Sequence, residues 1–253
     1  WNATQEPFDL VIDQHHGIPW YAPWWCKTHC VAYIHEVLGP IWNSFYPWPL
    51  SAIGKWQERV THRKYRDVLF WTASTFTGDQ LKESGVKSVT TIPYGVETRA
   101  LAELPKKDLV EPLRLITVSR LVPNKRVDHA IAVLWCLVEE NKIQAGLKIV
   151  GEGQELGALK KLVAELGMEK HTEFAGVQAE AEKDAALREA HWLLHTSVRE
   201  GWGLNVIEAN AMGTPAAVYP VPGLLESTLH EKTGIVAEEE SPKALADTIA
   251  AVL

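Results

Sequence analysis

The segment Trp192-Leu-Leu-His-Thr-Ser-Val-Arg-Glu-Gly-Trp-Gly-Leu-Asn-Val-Ile-Glu-Ala-Asn-Ala-Met-Gly-Thr-Pro-Ala-Ala-Val-Tyr219 decides the fold. Its ends, Trp192–His195 and Pro215–Tyr219, are short apolar runs of strand length. Between them Gly201 and Gly203 open a stretch, Leu204–Met212, that reads as a helix, and Gly213-Thr-Pro215 turns its end into the second strand. A strand, a helix and a strand joined by such short links make a unit of parallel sheet, since the chain must cross back over the sheet to bring the second strand alongside.

The same alternation runs outward from this unit. Upstream, the chain reads as strands at Leu113–Ser119, Leu147–Val150 and Glu173-Phe174, separated by helices at Val127–Glu140, from Gln154 to Leu166, and at Glu180–Ala190. Downstream follow a strand at Gly234–Ala237 and a helix from Pro242. A parallel sheet covered on both faces is expected, with ligands beyond the carboxyl ends of its strands. Further upstream the strands are residues 9–13, 30–34, 68–71 and 89–92, with helices at 56–66 and 74–84. Between these lie two aromatic, proline-broken stretches, Gly17–Trp25 and Ile41–Trp56. The polar stretch after Pro93 is read as a domain boundary, giving an incomplete first domain over 1–95 and a second over 96–253.

Composition agrees with this division. The 253 residues are 46% apolar and 23% charged, which excludes a disordered, collagenous or coiled-coil chain. Net charge is -7, against nonspecific binding of nucleic acid. The acidity is confined to residues 94–253, whereas eight of the eleven Trp fall at or before Trp71. No apolar run is long enough to cross a membrane. Three cysteines, Cys26, Cys30 and Cys136, fit a reducing compartment better than a disulfide framework. The chain begins at Trp1 and ends inside a helix at Leu253, and is read as cut at both ends.

Three features converge on the carboxyl edge of the second sheet. Ser119-Arg-Leu-Val-Pro-Asn-Lys125 follows a strand and places Arg120 and Lys125 where a diphosphate would sit, a fork of donors beside a point charge. Two solvated surface cations are the plainer alternative. Gly151-Glu-Gly153 lies between a strand and a helix, where small residues admit a ligand to the backbone or simply make a tight turn. In Arg199–Glu208, two glycines open a helix whose free N–H groups favour an anion. Glu200 precedes that helix and Glu208 lies within it, eight residues on; a cap and a helix-face glutamate are the alternative reading.

Taken in order, S-R-L-x-x-x-K, G-E-G, and E-G-W-G-L-x-V-I-E-A-x-A-x-G-T-P with its E-x7-E spacing resemble the retaining glycosyltransferases of family 4, which have the GT-B fold of two Rossmann-like domains. Val221-Pro-Gly-Leu-Leu-Glu226 and Lys232-Thr-Gly-Ile-Val236 fit the same pattern. The resemblance is dense over about 113–250 and looser over 68–97. It implies that the second domain binds a nucleotide-sugar donor. Arg120 and Lys125 would hold the diphosphate and stabilise the leaving nucleotide. Glu208 would accept hydrogen bonds from the ribose, and Glu200 would lie beside the donor sugar. The backbone at Gly203-Leu204 would meet the distal phosphate; Gly151 and Gly153 would leave room for the nucleotide, with Val177 near the base. His35, at the end of a strand in the first domain, would face the donor sugar, although a capped loop residue is an equal reading. Tyr94, Gln154 and Ser119 depart from the usual pattern without removing a charged group.

By the same resemblance no metal and no cofactor are expected beyond the nucleoside diphosphate sugar, and there is no D-x-D element. His15, His16, Cys26, His29, Cys30 and His35 form a rival metal-ligand cluster, but without paired-knuckle spacing. The implied reaction moves a hexose to a glycan or lipid-linked acceptor in cell-envelope polysaccharide or glycolipid assembly. The setting would be the cytoplasm, at the inner face of the membrane, with the Trp-rich loops (Trp20, Trp24, Trp25, Trp42, Trp48) and the basic run Arg59–Arg66 as a peripheral contact. Stacking of the tryptophans on a sugar acceptor, their burial in a core, and a solvated helix face for the basic run are the alternatives. A nucleotide-binding chain without turnover is the competing class of function.

Overall fold

The computed structural model describes residues 8–15, 18–104, 106–107 and 112–253. The chain divides into two compact units, residues 1–94 and 95–253.

In the first unit the strands are β1 (Leu10–His15), β2 (His29–Ile34), β3 (Leu69–Thr72) and β4 (Val89–Thr91). They pair in parallel in the order β1-β2-β3-β4. The helices are α1 (Ala22–Trp25), α2 (Trp42–Phe45), α3 (Leu50–Lys64) and α4 (Thr75–Glu83). Ala32, Ile34, Tyr65, Phe70, Leu81 and Val86 form the core. Ser74 caps α4 by accepting from the Thr77 amide, the usual service of a serine at that position. Helix α3 begins six residues before the expected Trp56. Pro47 and Pro49 precede its first turn instead of breaking it, and Gly54 is needed inside it because the Trp42 ring fills the space of a side chain there. Trp42 is therefore a packing residue, unlike the other tryptophans of the aromatic stretches.

A buried carboxylate ties this unit together. Asp13 on β1 is 1% exposed and accepts from the amides of Trp20 (3.0 Å) and Ala22 (2.8 Å) and from the Tyr65 hydroxyl (2.6 Å). It thereby anchors the turn into α1 and the end of α3 to the sheet. Nearby His15 packs edge-on against Tyr65 and Phe70, and burial lowers its pKa to about 4 against the opposing pull of Asp13.

In the second unit β5 (Leu113–Val118), β6 (Ala145–Val150), β7 (Thr172–Gly176), β8 (Trp192–His195), β9 (Ala216–Val218) and β10 (Gly234–Val236) form one parallel sheet in the order β10-β9-β8-β5-β6-β7. Every strand expected from the sequence is present. The helices are α5 (Val127–Trp135), α6 (Leu156–Glu165), α7 (Glu180–Glu189), α8 (Leu204–Ala211), α9 (Pro222–Ser227) and α10 (Pro242–Ala250). Helix α5 gives way to a π turn at Cys136–Glu140, so the expected single helix over 127–140 changes winding at its end. Leu115, Ile116, Leu147, Ile149, Leu193 and Leu194 from the sheet, with Ile131, Leu134, Leu245 and Ile249 from the helices, lie in one fully buried core. The strand order reverses between β5 and β8: successive strands build outward from β5 on one side and from β8 on the other. The loops after these two strands thus leave the sheet at the point where ligands of such sheets bind, and they are tied to each other, the Val198 amide donating to the Asn124 carbonyl at 3.0 Å.

Replacing Asp13 by alanine would leave two amides and a phenol without their acceptor. We expect a loss of about 2–4 kcal/mol, read as a shift in the chemical denaturation of the first unit by near-UV circular dichroism.

Candidate functional site

The loop after β5 carries Arg120 and Lys125; the loop after β8 carries Ser197 and Glu200 and leads into α8. These are the two loops at the strand-order reversal, so Arg120, Lys125 and Glu200, singled out in the sequence, stand at that edge of the sheet. Lys125 and Glu200 form an ion pair, their side chains 18% and 15% exposed. Ser197 Oγ donates to the same carboxylate oxygen, Oε1, at 3.0 Å, and His195 Nε2 lies 3.3 Å from it. Among the described residues Oε2 of Glu200 has no partner. Burial opposes ionisation of Glu200, but the electrostatic and hydrogen-bonding contributions of His195, Lys125 and Ser197 outweigh it and hold the carboxyl below the usual glutamate range.

His195 is itself fully enclosed. Burial, opposed by Glu200 and reinforced by Lys125, lowers its pKa to about 4, so it is a neutral imidazole at pH 7. With its proton on Nε2 it donates to Glu200. It also hydrogen-bonds Asn205, whose Nδ2 donates to the Val118 carbonyl at 3.0 Å. A polar chain thus runs from the end of β5 through the first turn of α8 and the end of β8 to Glu200.

Glycines make the loops fit. A Cβ on Gly151, whose φ is +129°, would run into the Ser119 carbonyl, and one on Gly153 would run into that of Leu121. The two glycines are thus demanded by the protein's own backbone, which closes the G-E-G turn against the loop bearing Arg120; ligand access is not what requires them. Gly223 on α9 meets the Glu200 carbonyl in the same way. Gly203 caps α8 in the left-handed conformation, φ +82°, leaving the first amides of α8 without helical acceptors.

The remaining site residues occupy different surroundings. Arg120 is exposed and makes no side-chain ion pair or hydrogen bond among the described residues. Leu204 begins α8, and Glu208 lies one turn further on the same face. Glu208 pairs through Oε1 with Lys183 of α7 at 3.0 Å. Val177 follows β7 and is 68% exposed. His35 belongs to the first unit, after β2, where its Nδ1 lies 2.7 Å from the Tyr94 hydroxyl. There, burial, with a further contribution from Tyr33, pushes the Tyr94 phenol well above the ordinary tyrosine range. No three His, Cys, Asp or Glu side chains converge as a metal site among the described residues; His16 of the rival cluster lies outside them. Sequence reasoning missed His195, Ser197, Asn205 and Lys183. Only Lys183 leaves a readable signal, a lysine on the buried stripe of α7 beside Ala186 and Leu187.

Residues 103–253 match the family model described as glycosyl transferases group 1. The GDP-mannose-dependent alpha-(1-6)-phosphatidylinositol monomannoside mannosyltransferase of Mycobacterium tuberculosis is 33% identical over 182 residues, which cover 66% of this chain and 47% of that one. The chain spans about half the length of the curated relatives it matches. Among solved structures, Anabaena Alr3699/HepE in complex with UDP and glucose superposes with a TM-score of 0.74 at 18% identity, over 96% of this chain and 68% of that one. S. aureus TarM in complex with Fondaparinux, alpha-GlcNAc-glycerol and UDP gives 0.72 at 18% identity, over 90% and 45%.

The buried His195 has a consequence for stability. The unfolded chain takes up a proton near pH 6.5 that the folded unit refuses until about pH 4, so stability present above 6.5 is lost as the pH falls. Between pH 7 and pH 5 this amounts to about 2 kcal/mol. His195→Gln should remove that part of the slope, with the other histidines contributing alike to both proteins, as measured by urea denaturation at the two pH values.

Proposed function

As a member of the group 1 glycosyl transferases, the chain carries, we propose, the donor site of a retaining enzyme that moves a hexose from a nucleoside diphosphate sugar to a glycan or lipid-linked acceptor in cell-envelope polysaccharide or glycolipid synthesis. The observation that carries this reading is the Lys125–Glu200 pair at the reversal between β5 and β8, with Arg120 on the same loop as Lys125 and the open amino end of α8 following Glu200. The GDP-mannose dependence in the mycobacterial relative's name and the UDP in two similar structures support a nucleoside diphosphate as the ligand.

In this reading the diphosphate lies between the two loops. Arg120 supplies a guanidinium that no side chain among the described residues engages, and Lys125 adds a second cation when the phosphate comes to share it with Glu200. The amides at Gly203-Leu204 meet the distal phosphate. As the bond from the sugar's anomeric carbon to the diphosphate breaks, the electron pair leaves with the nucleotide, and these groups stabilise the growing negative charge. The acceptor hydroxyl oxygen bonds to that carbon on the same face, and its proton passes to the departing diphosphate oxygen, which carries the electron pair of the broken bond. Glu200, with Oε2 unengaged, stands beside the donor sugar, and Glu208 accepts from the ribose hydroxyls. Val177 lies near the base, and Gly151 and Gly153 shape the turn below it. Two cations and a helix terminus do the work for which other transferases use a bound metal, so the site calls for no metal and no cofactor.

The first unit supports a peripheral membrane contact. Trp20, Trp24, Trp25, Trp48 and Trp56 are all more than half exposed, and Leu50 and Ile53 of α3 are exposed with them. Lys55, Arg59 and Arg63 recur every four residues along α3 and so share one face beside Trp56. No helix of the described residues is long and apolar enough to cross a membrane. We expect the chain to sediment with vesicles containing anionic lipid and to stay behind with neutral ones, and Trp48→Ala with Trp56→Ala to weaken that binding.

Binding of nucleotide without turnover is the second reading, favoured because every donor-site residue except His35 lies within one unit. Calorimetric titration with UDP, GDP and ADP tests both. One nucleotide should bind selectively, and Glu208→Ala should weaken it by about tenfold or more. Arg120→Ala and Lys125→Ala should mainly lower turnover. Unchanged affinity in Glu208→Ala would overturn the assignment; tight binding without sugar transfer would leave the second reading.

A further inference from the structure

We propose that Lys183 is a positioning residue of the donor site, holding the Glu208 carboxylate in the one rotation that turns Oε2 toward the ribose hydroxyls of a nucleoside diphosphate. The proposal rests on the donor-site reading of Glu208 and adds to it a residue from a different helix.

Lys183 lies on the buried stripe of α7 with Ala186 and Leu187, where a residue that merely packed would be apolar. Its side chain is 11% exposed, yet it keeps its charge: burial acts to lower its pKa, but Glu180 and Glu208 overcome that effect and leave it above the ordinary lysine value. The ammonium donates to Glu180 Oε2 at 2.6 Å and to Glu208 Oε1 at 3.0 Å. Glu180 is 80% exposed and belongs to Lys183's own helix, whereas Glu208 is 20% exposed and belongs to α8. The contact with Glu208 is therefore the one that crosses between elements and is shielded from water.

Its effect on Glu208 is specific. A glutamate side chain on a helix surface turns freely about its terminal bonds, and a ligand that needs one setting must arrest it on binding. Here Oε1 is already engaged, and Oε2 has no partner among the described residues. Glu208 also shares a helix face with Leu204, at the amino end where the distal phosphate is read. Lys183 thus fixes the carboxylate on the side of α8 that the nucleotide approaches, and it does so without touching the phosphates.

The experiment is calorimetric titration of the chain with the nucleoside diphosphate that binds and, separately, with inorganic pyrophosphate, which has no ribose. Wild type, Lys183→Met, Lys183→Arg and Glu208→Gln are compared, each with a melting curve. Lys183→Met should weaken the nucleoside diphosphate about tenfold and leave pyrophosphate unchanged. Lys183→Arg, which keeps a donor for Oε1, should recover most of the loss. Where Lys183→Met does not fold, Lys183→Leu, which also lacks a donor, replaces it with the same expectation. If Glu208→Gln weakens the nucleotide while Lys183→Met does not, Lys183 has no positioning role and the donor reading stands. Equal losses for nucleotide and pyrophosphate would show Lys183 acting as general charge, and would overturn the proposal. If Glu208→Gln has no effect, or no nucleotide binds the folded chain, the donor reading fails and the proposal with it.

Discussion

A lysine and a glutamate paired out of water at the point where a sheet reverses its strand order is the constraint on which the site depends. Removing two charges from water costs several kcal/mol per ion, and their attraction offsets this only where the geometry is good and further hydrogen bonds complete it. Lys125 and Glu200 meet that condition because the two loops on which they stand leave adjacent strands, β5 and β8. Ser197 and His195 add to the same oxygen, and Asn205 fastens His195 to the end of β5. The parallel sheet is thus what lets the pair form: a crossover fold brings residues 75 positions apart to one edge.

Close backbone approach makes that edge rigid. Ser119 and Leu121 lie against Gly151 and Gly153, and the Glu200 carbonyl lies against Gly223, at separations no Cβ would allow. The loop after β5 is therefore stacked on that after β6, and the loop after β8 on α9, backbone to backbone, which leaves each little freedom to drift. The site is held by elements that are themselves fixed, which is what precise placement of a reacting centre requires.

Much of the fold is legible from sequence because the second unit alternates cleanly: apolar runs of strand length, each followed by an amphipathic helix and a glycine or proline turn. Legibility fails where context overrides a local rule. Two prolines near α3 read as breakers but sit ahead of its first turn, and Gly54 reads as weakness but makes room for Trp42. In the site, Arg120, Lys125, Glu200 and Glu208 stand out by type and spacing. Their partners do not: His195 is one polar residue at the end of a buried strand, and the Lys183–Glu208 pair joins helices 25 residues apart. A sequence shows that a glycine is present; what occupies the space of its missing side chain belongs to the folded chain.

The charge pattern of the site divides affinity from selectivity. Both carboxylates are bound to lysines, Glu200 to Lys125 and Glu208 to Lys183, each through a single oxygen. Arg120 alone among these charged groups is exposed and unengaged. On the donor reading proposed above, an incoming diphosphate would meet that guanidinium and the amides of α8 first, and would have to share Lys125 with a carboxylate already holding it. That competition would moderate the attraction for phosphate, so that a nucleotide product would not be held by two bare cations. The two free carboxylate oxygens add nothing to phosphate binding and oppose it at long range. On the same reading they would gain favourable contacts only when a hydroxyl is presented to each, which would make them the part of the site that reads the ribose and the sugar rather than the charge between them.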